Sequence, residues 1–157
     1  MIMSDIPLLR GAATSKMRGN FVLLRADSLR LLLPQQDVSS TEYIDSAPAS
    51  TSEAGIFSYS EADTTRKVVA LSDQMYALAR FPADRFLLTQ LAKDGQALSF
   101  AWNEVRVLID AELEQHSLPT VMQGPDALVD SYLELDGELV FCMSAQRLVS
   151  YAITGQG

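Results

Sequence analysis

Two side chains have the intrinsic chemistry of a nucleophile or a metal ligand: Cys142, the single cysteine, and His116, the single histidine. A reactive thiolate needs positive charge nearby and some exposure. Cys142 instead lies within Leu139–Met143, an apolar run that reads as a strand with a buried thiol. His116 ends the stretch Glu112-Leu113-Glu114-Gln115-His116. Metal binding with Glu112 would require the two side chains one helical turn apart, and no second histidine or cysteine completes a ligand set. A Cys142–His116 dyad would satisfy the chemistry of an activated nucleophile, but nothing local in the sequence joins them. Gly11, Gly19, Gly55, Gly95, Gly124 and Gly137 are dispersed, so no loop is built to cradle phosphate. Most carboxylates fall at turns, where solvation explains them. Trp102 beside Phe100 reads as core rather than as a base-stacking platform. The sequence therefore assigns no catalytic residue, no metal and no cofactor, and describes a non-enzyme that works through its surfaces.

Charge narrows the choice of partner. The net charge of −8 disfavours nucleic acid and anionic membrane surfaces. It is unevenly spread. Residues 1–30 carry Arg10, Lys16, Arg18, Arg25 and Arg30 against Asp5 and Asp27. Residues 103–138 carry nine carboxylates against Arg106 alone. Such a block is either a solvated acidic face or a surface that selects a basic partner.

The elements that must position these residues follow a period of two. With 48% apolar and 20% charged residues, the 157-residue chain has the composition of a globular domain with a real core. Phe21–Arg25 and Leu29–Leu33 flank an Ala26-Asp27-Ser28 turn. Phe86–Leu91 and Gln96–Trp102 flank Lys93-Asp94-Gly95, and Ser131–Leu135 and Glu138–Met143 flank Asp136-Gly137; Asp-Gly favours tight primed turns. Residues 37–65 are polar and read as an extended piece around Val38 and Ile44, then a loop, with Ile56–Tyr59 returning to the core. Lys67–Leu71, Gln74–Ala79 and Val105–Ile109 read as strands, and Ala111–His116 as one helical turn. Ser144 is placed to cap a closing helix whose Leu148 and Tyr151 face inward. The first residues lack a continuous apolar core, being broken by Asp5, Pro7 and Arg10, so no signal peptide is read and a cytoplasmic address is expected. No apolar run is long enough to span a bilayer, which argues against membrane insertion.

The chain also repeats itself. Phe21–Val38 lies over Phe86–Val105, and Ala70–Met75 over Cys142–Arg147 at nearly the same offset. Two strand-rich halves, about 21–82 and 83–152, suggest paired small barrels that hide their edges.

This order of elements resembles the CheW-like domain, the adaptor of bacterial chemotaxis and related signalling arrays. The match is carried by Arg85–Leu91, Asp94-Gly95, the strand to Trp102, Leu118-Pro119-Thr120-Val121-Met122, and the ending DGELVFCMSAQRLVSY. It extends from about residue 21 to 152, leaving 1–20 as an N-terminal extension. The resemblance implies an all-β fold of two intertwined five-stranded SH3-like barrels with short helical segments. It implies a non-enzymatic adaptor in chemotaxis or pilus motility, with a histidine kinase regulatory domain and/or a receptor tip as partner. The family's Asn-Leu-Arg-Gly motif corresponds to Thr64-Thr65-Arg66-Lys67, where only the arginine is kept. By the resemblance, Arg66, Val38, Ile44 and Val68 would line the partner groove. The alternative is a regulatory or small-ligand-sensing module on the same fold that has lost receptor coupling.

Overall fold

The computed structural model describes residues 14–93, 96–119 and 128–154. Eleven strands and one α-helix are defined there: β1 (Thr14–Ala26), β2 (Leu29–Pro34), β3 (Val38–Tyr43), β4 (Ala49–Ser50), β5 (Phe57–Glu61), β6 (Thr64–Ala70), β7 (Leu87–Lys93), β8 (Gln96–Trp102), β9 (Glu104–Ser117), β10 (Ser131–Leu135), β11 (Glu138–Cys142) and α1 (Ala145–Thr154). The fold is all-β, as the period-two pattern requires. One sheet is a closed five-stranded barrel in the order β9-β10-β11-β2-β1; the other runs β3-β7-β8-β6-β5-β4.

The internal repeat becomes a topology. Hairpin β1–β2 pairs in parallel with β11 through Leu31 and Leu32 opposite Phe141 and Cys142, and antiparallel with β9. Hairpin β7–β8 repeats the arrangement. It pairs in parallel with β6 through Val68–Ala70 opposite Ser99–Ala101, and antiparallel with β3. Each sheet therefore takes a hairpin from one half of the sequence and its remaining strands largely from the other. The chain's two ends build the barrel, and its middle builds the second sheet.

This exchange explains why so many strands are apolar on both faces. Leu23, Leu32, Leu133, Val140 and Cys142 fill the barrel. Their neighbours Val22, Leu24, Leu31 and Leu33 face the other way, into a core shared with Val69, Leu98, Phe100 and Trp102 of the second sheet and Leu148 and Val149 of α1. Val68, Ala70, Leu88 and Ala101 turn to the far side, where they meet Ile44, Phe57 and Tyr59. At roughly 1.5–3 kcal/mol per fully buried large apolar side chain, the shared layer holds the two sheets together as one unit. Its largest member, Trp102, is fully buried, stacks on Phe100 and donates from Nε1 to Thr89 Oγ1 at 2.8 Å.

Polar contacts lock the same junction. Asp27, in the β1–β2 turn, accepts from Arg85 Nη2 at 3.1 Å, and Arg85 Nη1 donates to the Ala101 carbonyl at 3.3 Å. Arg85 is fully buried, and its Nε has no hydrogen-bond partner among the described residues. Asn103 ties the same turn down, accepting from the Asp27 amide and donating to the Asp84 carbonyl.

Several local expectations are corrected. Ala111–His116 is not a helical turn but the outer half of β9, where Glu112 and Glu114 alternate with half-buried Ala111, Leu113 and Gln115. Gln74–Ala79 is not a strand: Met75 takes a left-handed φ of 69°, Ser72 Oγ accepts from the amides of Gln74 and Tyr76, and only a single bridge, Leu71 to Ala77, remains. β1 starts at Thr14, inside the stretch expected as an extension, because Thr14–Gly19 pair with Ala111–His116. The turn at Asp136-Gly137 is as expected, with φ of 55° and 78° suiting a primed turn. Asp94-Gly95 lies outside the described residues, but the flanking strands pair as far as Lys93 with Gln96. The spacer Thr120-Val121-Met122 also lies outside them. Ser144 caps α1, its Oγ accepting from the Arg147 amide at 3.2 Å, and Leu148 is fully buried.

Candidate protein-binding surface

The four residues expected to line a groove do not share one surface. Ile44 and Val68 are buried together beneath the second sheet, so their side chains hold the sheet and present nothing to a partner. Val38 is half-buried against the shared core. Arg66 remains accessible only in part, and it is already engaged.

Arg66 projects from β6 and forms a two-pronged ion pair with Glu42 on β3, with Nη1–Oε1 at 2.5 Å and Nη2–Oε2 at 2.6 Å. Strands β7 and β8 lie between those two strands in the sheet. The sheet must therefore curl to bring them together, and Ile44 meeting Phe57 across the same interior records the same curl. The guanidinium also lies 5.6 Å from the Tyr59 ring centre, a cation–π distance. The hydrogen bonds that Arg66 donates favour the carboxylate and hold the Glu42 pKa below its usual value, and the same bonds raise that of Arg66. Lys67, at the position of the family's glycine, is exposed in ordinary strand conformation, so no left-handed backbone is required there.

The accessible apolar groups lie next to this clasp. Tyr43 ends β3 and is 70% exposed; Phe86, just ahead of β7, is 44% exposed. Their rings lie 6.0 Å apart, and the Ile44 amide donates to the Phe86 carbonyl at 2.8 Å. Two exposed aromatic rings, one on the edge strand β3 and one just ahead of its neighbour β7, have the composition of an interface anchor. The sequence reading missed this pair. Phe86 opens the expected strand Phe86–Leu91 and Tyr43 lies in a polar run; the available signal is the parity of β3, which sends Glu42 and Tyr43 to opposite faces.

The charge blocks face each other. Across the β1–β9 pairing, Arg18 stands opposite Glu112, Lys16 opposite Glu114 and Arg25 opposite Glu104. Arg25 reaches Glu104 at 3.0 Å, and Arg18 makes a two-pronged contact with Asp110 at 2.9 and 3.1 Å. Asp110 sits at a bulge with φ of 50°, where its amide donates to Asn20 Oδ1. Further pairs join Arg30 to Glu138, Arg106 to Asp136 and Arg147 to Asp130. Five carboxylates of the acidic block thus have ion-pair partners within the chain, two of them on β1.

His116 and Cys142 are separated by strand parity. Cys142 pairs with Ser131 and points into the barrel, whereas His116 pairs with the next residue, Tyr132, on the opposite face. Burial pushes the Cys142 thiol up, only partly offset by its hydrogen bond with Ser131, and this suppresses thiolate formation. His116 shares a 3.1 Å hydrogen bond between Nδ1 and Thr14 Oγ1, and its ring lies 5.2 Å from that of Tyr132. Among the described residues, no group of three or more potential metal ligands converges, and no helix is long and apolar enough to cross a membrane.

Compared with solved structures, the chain is similar to the scaffolding protein TtCheW from Thermoanaerobacter tengcongensis. The superposition has a TM-score of 0.59 and covers 84% of this chain and 88% of that one, at 14% identity. The chain has a CheW-like fold. No family model matches the sequence, and no curated protein matches it. Within the CheW-like fold, Arg66 lies on β6, the strand through which the second sheet pairs in parallel with β8. Tyr43 of the aromatic pair lies on β3, an edge strand of that sheet.

Proposed function

We propose that this protein is a non-enzymatic adaptor of a bacterial two-component signalling complex for chemotaxis or pilus motility. In this reading it acts in the cytoplasm by binding a histidine kinase regulatory domain, a receptor tip or both. The observation that carries the reading is the likeness to a scaffolding protein over most of both chains. The docking surface is the β3–β7 edge, with Tyr43 and Phe86 as anchors and Arg66, clasped to Glu42, as its polar border. Exposed aromatic groups supply contact area with little side-chain freedom to lose. The acidic surface offers nothing to nucleic acid. The test is a pull-down of the receptor signalling tips and the kinase regulatory domain from the same organism with the purified protein. Retention of either, saturable on the order of tens of micromolar, is the expected result. Retention of neither overturns the proposal.

A further inference from the structure

A cleft separate from the β3–β7 edge opens between the second sheet and the C-terminal end of α1. Its volume is about 270 Å³, just below the range of about 300 to 1,000 Å³ usual for ligand sites, so it suits only a small ligand. Val69 and Leu71 lie beneath it, buried in the shared core. Ile56, Ala77, Ala152 and Ile153 line its sides. Gly55, at a left-handed φ of 84°, lines it, and Met75 at φ 69° precedes the lining residue Tyr76. A side chain at Gly55 would be strained and would bring Cβ to 3.3 Å from the Ala77 Cβ, so glycine lets the 53–56 loop close against the 76–77 turn.

The polar groups of this cleft share one character. Tyr151 Oη donates to the Met75 carbonyl at 2.8 Å, which fixes that ring. The Tyr76 ring is 64% exposed beside it. Glu53 lines the same space, and its carboxylate has no ion-pair partner among the described residues. No lysine, arginine or histidine is among the described residues that line it. An unpaired carboxylate and two electron-rich rings beside apolar walls attract a cation that carries a hydrocarbon body. The net charge of −8 adds a long-range attraction of the same sign.

We infer that this cleft binds a small organic ammonium ligand, its apolar body against Ile56, Ala77 and Ile153 and its charged head between Glu53 and the Tyr76 ring. This goes beyond the adaptor reading and does not depend on it, because the cleft and the aromatic pair share no residue.

The test titrates the ¹⁵N-labelled full chain with 2-phenylethylammonium and, separately, with its neutral isostere 2-phenylethanol. The expected result is saturable shifts centred on the amides of Gly55, Ile56, Tyr76, Ala77 and Ile153, with the amine bound about tenfold more tightly than the alcohol. Glu53→Gln, on an exposed loop, is expected to bring that ratio toward one while leaving the spectrum of the free protein otherwise unchanged. Tyr76→Ala is expected to weaken the amine more than the alcohol. Equal binding of amine and alcohol by the native chain would overturn the inference, as would the absence of saturable shifts up to about 10 mM. A preference that Glu53→Gln leaves intact would overturn the assigned role of the carboxylate. None of these results bears on retention of the kinase domain or receptor tip, so the two readings fail separately.

Discussion

The barrel made by the chain's ends and the curled sheet made by its middle share one topology but finish it differently. In the barrel, the last flanking strand, β9, is fourteen residues long. It pairs with β1 along nearly its whole length and with β10 at His116 and Ser117, so backbone hydrogen bonds complete the closure. Its counterpart β3 is six residues long and ends at Tyr43 before meeting β5. There the chain turns Ile44 into the interior and spans the gap with Arg66 and Glu42. A continuous ladder protects an edge permanently; a half-buried ion pair holds it through two side chains. Two exposed aromatic residues, Tyr43 and Phe86, lie at the second, less securely closed edge. Stability and accessibility are thus divided between two copies of one design.

The largest expected effect tests whether the two sheets are one cooperative unit. Leu133→Ala in the barrel and Leu88→Ala in the second sheet should each cost about 2–5 kcal/mol in urea unfolding. Because both sheets lean on the shared core, each variant should show one transition at a lower midpoint. Two separated transitions would break the comparison into independent domains.

The clasp comes next. Glu42→Gln removes the charge that Arg66 grips and should cost about 1–2 kcal/mol. Amide exchange should accelerate along β3 and leave β9 and β10 unchanged. Acid should act on the same contact. The folded pKa of Glu42 is lowered by Arg66, so its contribution is present above the ordinary glutamate pKa and is lost as pH falls through the lowered value. Exchange at β3 should therefore rise in acid before exchange in the barrel does. Equal loss of protection in both sheets would contradict the distinction.

Smaller effects sharpen it further. The β5–β6 turn places Ala62 at φ 54°, a conformation that glycine adopts without a Cβ penalty. Ala62→Gly should stabilise the protein by about 1 kcal/mol, measured as a raised urea midpoint. Arg18 and Asp110 are well exposed, so their ion pair should matter least. Arg18→Ala is expected to leave the midpoint within error, and added salt should not change that result.

Much of the architecture was legible because it is locally encoded. Asp136-Gly137 specifies its own turn, Ser144 its own cap, and alternating leucines their own strands. The repeat was legible through two matching offsets, and it appears as matching pairings in the two sheets. What was not legible depended on distant partners. Ala111–His116 carries a pattern open to either period, and only pairing with Thr14–Gly19 makes it strand. The acidic block of 103–138 was visible, whereas its pairing with the basic first strand was not. Arg66 was legible as unusual, but its grip on Glu42 joins residues 24 apart through a curl that no local pattern encodes. Ile44 and Val68 were named for a groove and lie in the core, because strand parity was not applied to them.

The central claim, that the less securely closed edge is the working surface of an adaptor, is tested most directly by calorimetric titration of whichever partner the pull-down retains. The native chain and the Tyr43→Ala/Phe86→Ala variant are compared, with circular dichroism showing that both are folded. The account predicts at least about a tenfold loss of affinity in the variant, with the urea midpoint nearly unchanged because both rings are exposed. Undiminished affinity in a folded variant would contradict it.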